Sequence, residues 1–375
     1  MKKLFLPIIL LGLLSCKNDG SDIILMNADN FKTTIDGKSV DLYTLKSESG
    51  MVMQVTNFGA HVVSLWTADN KGAFDDVVLG HKSLDEYMNY KGERFIGCVV
   101  GRYANRIADG KFVIDSIVYN VPKNNNGQSL HGGLKGLDQV VWNVDTVGSD
   151  MIRLSYLSPD GEEGYPGNLA IQMTYSLTAD NAFKIEYSAT TDKSTFVNLS
   201  NHSFFNLKGE GNGTINDHLL TINADSITPI DSVMIPTGEL MSVDGTPFDF
   251  RHAQLIGQRV NEENEQLKNG SGYDHNWVLN TKGDIHQVCA TLESPVTGIV
   301  LNVYTDEPGI QVYCGNFLDG TLTGKKNTIY NFRASVCLET QKYPDTPNKA
   351  DWPTAVVRPG EKYQSHCIYK FSVHK

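Results

Sequence analysis

Two runs that are otherwise suited to burial are interrupted by groups that can move a proton. In Asn198-Leu199-Ser200-Asn201-His202-Ser203-Phe204-Phe205-Asn206-Leu207 the even positions Asn198, Ser200 and His202 share one face of an extended chain. Val336-Cys337-Leu338-Glu339-Thr340-Gln341 is an apolar strand that ends on a carboxylate. An imidazole can donate or accept a proton near neutral pH, and a carboxylate can accept one. Further polar breaks stand at Asn105-Arg106, at His131 in Leu130-His131-Gly132-Gly133, at Asp274 in Gly272-Tyr273-Asp274-His275, and at Gln311 between Ile310 and Val312. The two glycines after His131 would let backbone approach a ligand closely. A lone histidine in a strand is more often a hydrogen-bonded core residue, and a lone glutamate at a strand end is usually solvated. Several such breaks on one chain point to a shared polar ligand or network, because buried polar groups without partners are costly.

Other chemistries lack their signatures. HExxH, HxH and Cys–His clusters do not occur, so we expect no metal. Neither a Walker A loop nor GxGxxG is present, and no GxSxG elbow supports a serine hydrolase. Cys98, Cys289, Cys314, Cys337 and Cys367 are widely spaced and odd in number, and they read as buried thiols rather than a disulfide framework.

The elements that must position these groups read as strands. Leu169, Ile171, Met173, Tyr175 and Leu177 alternate with small or polar residues, as do Phe183, Ile185, Tyr187 and Ile299, Leu301, Val303. Turn pairs such as Asp109-Gly110, Asn126-Gly127 and Asp180-Asn181 punctuate them. Helical periodicity is confined to residues 84–90 and 254–260. The pattern predicts an all-β fold, one large antiparallel β-sandwich with long loops. No internal linker divides residues 26–375, which are read as one domain.

The first fifteen residues form a targeting segment: Lys2-Lys3, then the apolar run Leu4 to Leu14, then Ser15 before Cys16. Leu13-Leu14-Ser15-Cys16 resembles the lipobox of bacterial lipoproteins, which implies a lipid anchor on Cys16, a tether over residues 16–25 and a place in the bacterial cell envelope. Cleavage there removes two lysines and takes the formal charge from −11 to −13. That acidity opposes nucleic-acid binding.

In their order along the chain, Asn105-Arg106, Leu130-His131-Gly132-Gly133, Asn201-His202-Ser203-Phe204-Phe205-Asn206-Leu207, Asp274, Gln311 with Gly315-Asn316-Phe317, and Glu339-Thr340-Gln341 with Tyr343-Pro344-Asp345 resemble the galactose mutarotase (aldose 1-epimerase) family. The resemblance covers essentially all of residues 26–375. It implies a galactose mutarotase-like supersandwich, no cofactor, and a free sugar such as galactose or glucose as substrate. It implies His202 as general acid and Glu339 as general base, with Asn105, Arg106, His131, Asp274 and Gln311 on sugar hydroxyls. Phe204 stands where the family often has tyrosine, which bears on the preferred sugar. As general acid, His202 would be expected to titrate near the working pH. Two alternatives remain at this point: a hexose-6-phosphate 1-epimerase, which would need a basic cluster near Arg106, and a non-catalytic carbohydrate-binding lipoprotein, which would lack the acid–base pair.

Overall fold

The computed structural model describes residues 23–374; Cys16 and the expected targeting segment lie outside them. The strands gather mainly into three antiparallel sheets of nine, six and four strands. The alternation read from the sequence is the reason. Leu169–Leu177 buries Leu169, Ile171, Met173, Tyr175 and Leu177 and turns the residues between them outward. It pairs with Ala182–Thr191, where Tyr175 lies opposite Ile185 and Ile171 opposite Ala189. That ladder continues to Tyr363–Val373 and Ile299–Thr305 in the centre of the nine-stranded sheet.

The sheets share one core. Leu45 and Met53 from the four-stranded sheet, Ile171 and Ile185 from the large one, and Trp277, Ile310 and Leu338 from the six-stranded one belong to the same apolar cluster. Removal of this surface from water is the main driving force for stacking the sheets. The five cysteines in the described residues are buried free thiols, as their apolar settings suggested.

The six-stranded sheet positions the chemistry. Its central strands Asp274–Leu279, Gly309–Tyr313 and Val336–Gln341 are almost wholly buried on both faces. One face, with Trp277, Ile310, Val312 and Leu338, enters the core. Residues paired across an antiparallel ladder point to the same side. The registers Asn276 to Gln311 and Gln311 to Glu339 therefore stack polar groups on the opposite face.

Helix is sparse. The expected segment 84–90 contains Leu84–Met88, whereas 254–260 splits into a strand Gln254–Leu255 and a helix Ile256–Arg259. A third helix, Glu265–Asn269, was not foreseen: only Leu267 in it is buried, too little to give an apolar period.

Candidate active site

A cleft of about 380 Å³ opens over the polar face of the six-stranded sheet. Asn105, Arg106, His131, His202, Asp274 and Glu339 all line it, although they come from segments spread over more than two hundred residues.

Its floor is the carboxylate–imidazole pair. Glu339 projects from Val336–Gln341, and its Oε1 lies 3.4 Å from His202 Nε2. Both side chains are at most 5% exposed. The other oxygen, Glu339 Oε2, is buried without a hydrogen-bond partner among the described residues. His202 is wedged between Phe95, Phe204 and Tyr313, with ring centroids 5.0–6.0 Å away. Cys337 Sγ meets its Nδ1 at 3.5 Å. These contacts fix the imidazole plane and aim Nε2 at the carboxylate.

Burial sets the protonation of the pair. It pushes His202 down to about 3, away from the neutral-range titration expected of a general acid. It pushes Glu339 well above the usual carboxylate range, with Asp274 and Glu93 adding to the rise and Arg106 opposing it. Both shifts favour the uncharged forms, a neutral imidazole beside a protonated carboxyl.

The walls are hydrogen-bonding groups with spare capacity. Asn105 and His131 hold each other through two bonds of 3.1 Å, His131 N–H to Asn105 O and Asn105 N–H to His131 Nδ1. Both residues occupy left-handed backbone, Asn105 at φ 67° and His131 at φ 52°. Because Nδ1 accepts, the neutral His131 ring carries its proton on Nε2 and presents a donor. Burial, followed by His202 and Arg106, keeps this ring neutral. Arg106 donates from Nη2 to the Met234 thioether at 3.2 Å, and its Nε is buried without a partner among the described residues. Asp274 accepts the Gln311 amide at 2.6 Å, and burial raises its carboxyl while Arg106 opposes the rise.

His131, His202 and Glu339 bring one ligand atom each within 4.8 Å of one another, a spacing that could surround a cation. The hydrogen bonding does not fit that use. A ligating histidine normally donates from its other ring nitrogen to an outer partner, whereas His131 Nδ1 accepts from backbone.

Several sequence-based expectations are corrected in detail. Gln311 stands one layer back: it does not line the cleft, and its amide orients Asp274. Asn198 and Ser200 do not line the cleft and serve backbone instead, Ser200 Oγ donating to Thr340 O, and Asn198 donating to Ala104 O and Lys342 O while accepting from Lys342 N–H. Phe204 is fully buried behind His202, in an apolar cluster with Leu79 and Ile96, and does not reach the cleft. The glycines after His131 accommodate protein rather than ligand: a Cβ on Gly132 would sit 1.8 Å from Gly101 O. Arg102 is turned away, donating to Ser158 and to the carbonyls of Pro159 and Pro166.

The cleft also contains residues that sequence reasoning passed over. Glu93 accepts from Tyr313 Oη at 3.1 Å, and Arg94 grips Asp138 with two bonds of 2.7 and 2.9 Å. Phe317, half exposed, stacks on Tyr313 at the mouth. The signal for Phe317 lay in its motif, Gly315-Asn316-Phe317. Glu93 and Arg94 sit in a polar stretch where charge carries no information.

The aldose 1-epimerase family model matches residues 41–370. The galactose mutarotase of Homo sapiens is 41% identical over 337 residues, 90% of this chain and 95% of its own. The aldose 1-epimerase of Escherichia coli (strain K12) is 37% identical over 338 residues, 90% and 96% of the two chains. Among solved structures, the GalM/aldose epimerase homologue from C. elegans superposes with a TM-score of 0.82 at 30% identity, covering 90% of this chain and all of the other. Galactose 1-epimerase from Lactobacillus acidophilus gives 0.79 at 30% identity, with 92% and 98% covered.

Proposed function

The chain belongs to the aldose 1-epimerase family, and from that premise we propose that Glu339 and His202 exchange protons with a free aldohexose such as galactose or glucose. The activity is that of an isomerase, interconversion of the α and β anomers of an aldose. The observation that carries the assignment of roles is the unpartnered Glu339 Oε2 in the cleft floor, with His202 Nε2 3.4 Å from its sister oxygen.

The steps need one proton shared between the two groups. With that proton on His202, Glu339 is a carboxylate that can take the proton from the C1 hydroxyl. His202 gives its proton to the ring oxygen, the C1–ring oxygen bond breaks, and C1 becomes an aldehyde. The pair now holds its proton on Glu339, the form that burial favours. Rotation about C1–C2 presents the other carbonyl face, and closure returns both protons. The two tautomers of the pair thus correspond to the closed and open sugar, and no net charge is created in the buried floor. Each positioned group contributes on the order of 10²–10⁴-fold. The His131 Nε2 donor, the free Arg106 Nε and Asp274 supply hydroxyl contacts that hold the ring in place.

A hexose 6-phosphate is disfavoured as substrate. Arg94 is already paired with Asp138, Arg102 faces elsewhere, and Glu93 would oppose a phosphate. A purely sugar-binding role leaves the acid–base pair without a purpose. To test the acid, His202→Asn keeps a hydrogen-bonding side chain without a useful proton. We expect polarimetric kcat on fresh α-D-galactose to fall by about 10²-fold or more with little change in Tm. A destabilised but fully active variant would overturn the assignment.

We further propose that Cys16 carries lipid and holds the enzyme on a membrane of the bacterial cell envelope. The support is the leader sequence, which lies outside the described residues. Wild-type protein should partition with detergent-extracted membranes and Cys16→Ala should not; a fully soluble wild type would contradict the anchor.

A further inference from the structure

A second cavity, of about 590 Å³, lies beside the cleft. Gly272 lines it, and Asp274, two residues on, lines the sugar cleft. The remaining wall is residues 260–265, Leu267, Lys268, Ser271, Phe332 and Arg333.

Arg333 is the anomaly. It is only 4% exposed. Buried guanidinium groups are ordinarily paired or fully hydrogen-bonded. Arg94 follows that rule with Asp138, and Arg102 with four bonds to oxygen. Arg333 makes one side-chain hydrogen bond, from Nη1 to Asn261 Oδ1 at 3.0 Å, and packs 4.5 Å over the Phe332 ring. Its Nε is buried without a partner among the described residues. Burial holds the guanidinium below its usual range, and no carboxylate counts among the groups that oppose the shift.

An unmet acceptor stands close by. Asn316 spends its amide N–H groups on Gly270 O and Tyr273 O, which leaves Oδ1 buried and unpartnered among the described residues. Gly272, at φ 129°, packs closely against both groups. A Cβ there would lie 2.7 Å from Asn316 Oδ1 and 3.2 Å from Arg333 Nη2. An orphan donor on the cavity wall calls for a ligand group that accepts, and a sugar hydroxyl does so without bringing charge. Phe332, 47% exposed, adds an apolar ring face. Glu262, Glu263 and Glu265 form an exposed acidic rim that opposes an anion.

We propose that this cavity is a second carbohydrate site, which holds a neutral pyranose through Arg333 with a ring face against Phe332. It lies outside the anomer-exchange cleft and does not depend on the reading of Glu339 and His202.

The test is a titration of the full chain with methyl β-D-galactopyranoside, a closed sugar that cannot turn over, followed by backbone amide resonances. Those of Gly272 and Phe332 should move on their own isotherm, separate from that of Asn105 and His131. Phe332→Ala, at an exposed position, should weaken that isotherm by roughly fivefold, the scale of one aromatic contact, and leave the cleft isotherm unchanged. Arg333→Gln should remove it. Inorganic phosphate should leave the same amides in place. Stationary amides, movement that only tracks the cleft, an isotherm indifferent to Phe332→Ala, or a stronger response to phosphate would each overturn the proposal.

Discussion

Two regions of this molecule bury charge, and they do so in opposite ways. Under the four-stranded sheet, Lys325 Nζ meets Asp76 Oδ2 at 2.7 Å and donates to Val63 O and Val78 O at 2.6 and 2.8 Å. Asp76 Oδ1 in turn accepts from Leu65 N–H at 3.0 Å and Val78 N–H at 3.4 Å. The cation is saturated, and no cavity opens onto it among the cavities described above. Among the described residues, Glu339 Oε2 and Arg106 Nε in the cleft have no partner, and the Arg106 side chain donates only to a thioether. The same residue types therefore act as a clasp where their bonds are closed within the protein, and as a site where the bonds are left for a guest. Pairing, rather than burial, separates the two.

The comparison can be broken from either side. The largest stability effect should come from the clasp. Lys325→Met strands Asp76, and loss of one partner of a buried pair costs about 3–5 kcal/mol. A marked fall in Tm is expected, while kcat of the protein that remains folded stays near normal; loss of turnover without loss of Tm would show that the clasp serves catalysis. A smaller effect is expected one layer behind the cleft. Gln311→Ala frees Asp274 to turn, so KM should rise by roughly tenfold for the loss of a hydrogen bond to a charged group, with kcat less affected. An unchanged KM would show that Asp274 does not need that partner.

The smallest expected effect is in pH dependence. With His202 pushed down to about 3 and Glu339 raised well above its ordinary range, both shifts act against an ordinary histidine titration in the cleft floor. The sign is fixed by both ends: His202 takes a proton only on strong acidification, and Glu339 gives up its own only above its raised value. The profile of kcat/KM should therefore be flat through 6.5, the ordinary histidine value. An inflection there would show that His202 titrates independently of Glu339.

Much of this arrangement was legible in the sequence, for physical reasons that also mark where legibility stops. His202 and Glu339 stand out because each breaks a run that must be buried, and the cleft uses both. Asn198 and Ser200 break the same run and looked alike, yet they bond backbone groups of segments 94 to 144 residues away. Pairing between distant segments is set by the tertiary fold, and one strand's alternation does not encode it. Gln311 was readable as a polar break, but its depth behind Asp274 depends on a diagonal contact between paired strands. Glu93 and Arg94 left no trace because they occupy a loop, where a charged residue is the ordinary case. The alternating strands were the most legible part: Leu169 to Leu177 and its neighbours pair and bury as their pattern requires.

The central claim is that Glu339 accepts the C1 hydroxyl proton. Glu339→Gln keeps the shape of the side chain and removes its basicity, so turnover by polarimetry on fresh α-D-glucose and α-D-galactose tests it directly. The account predicts a fall in kcat of roughly 10²-fold or more, with sugar binding and Tm largely retained. Turnover close to wild type in that variant would contradict it.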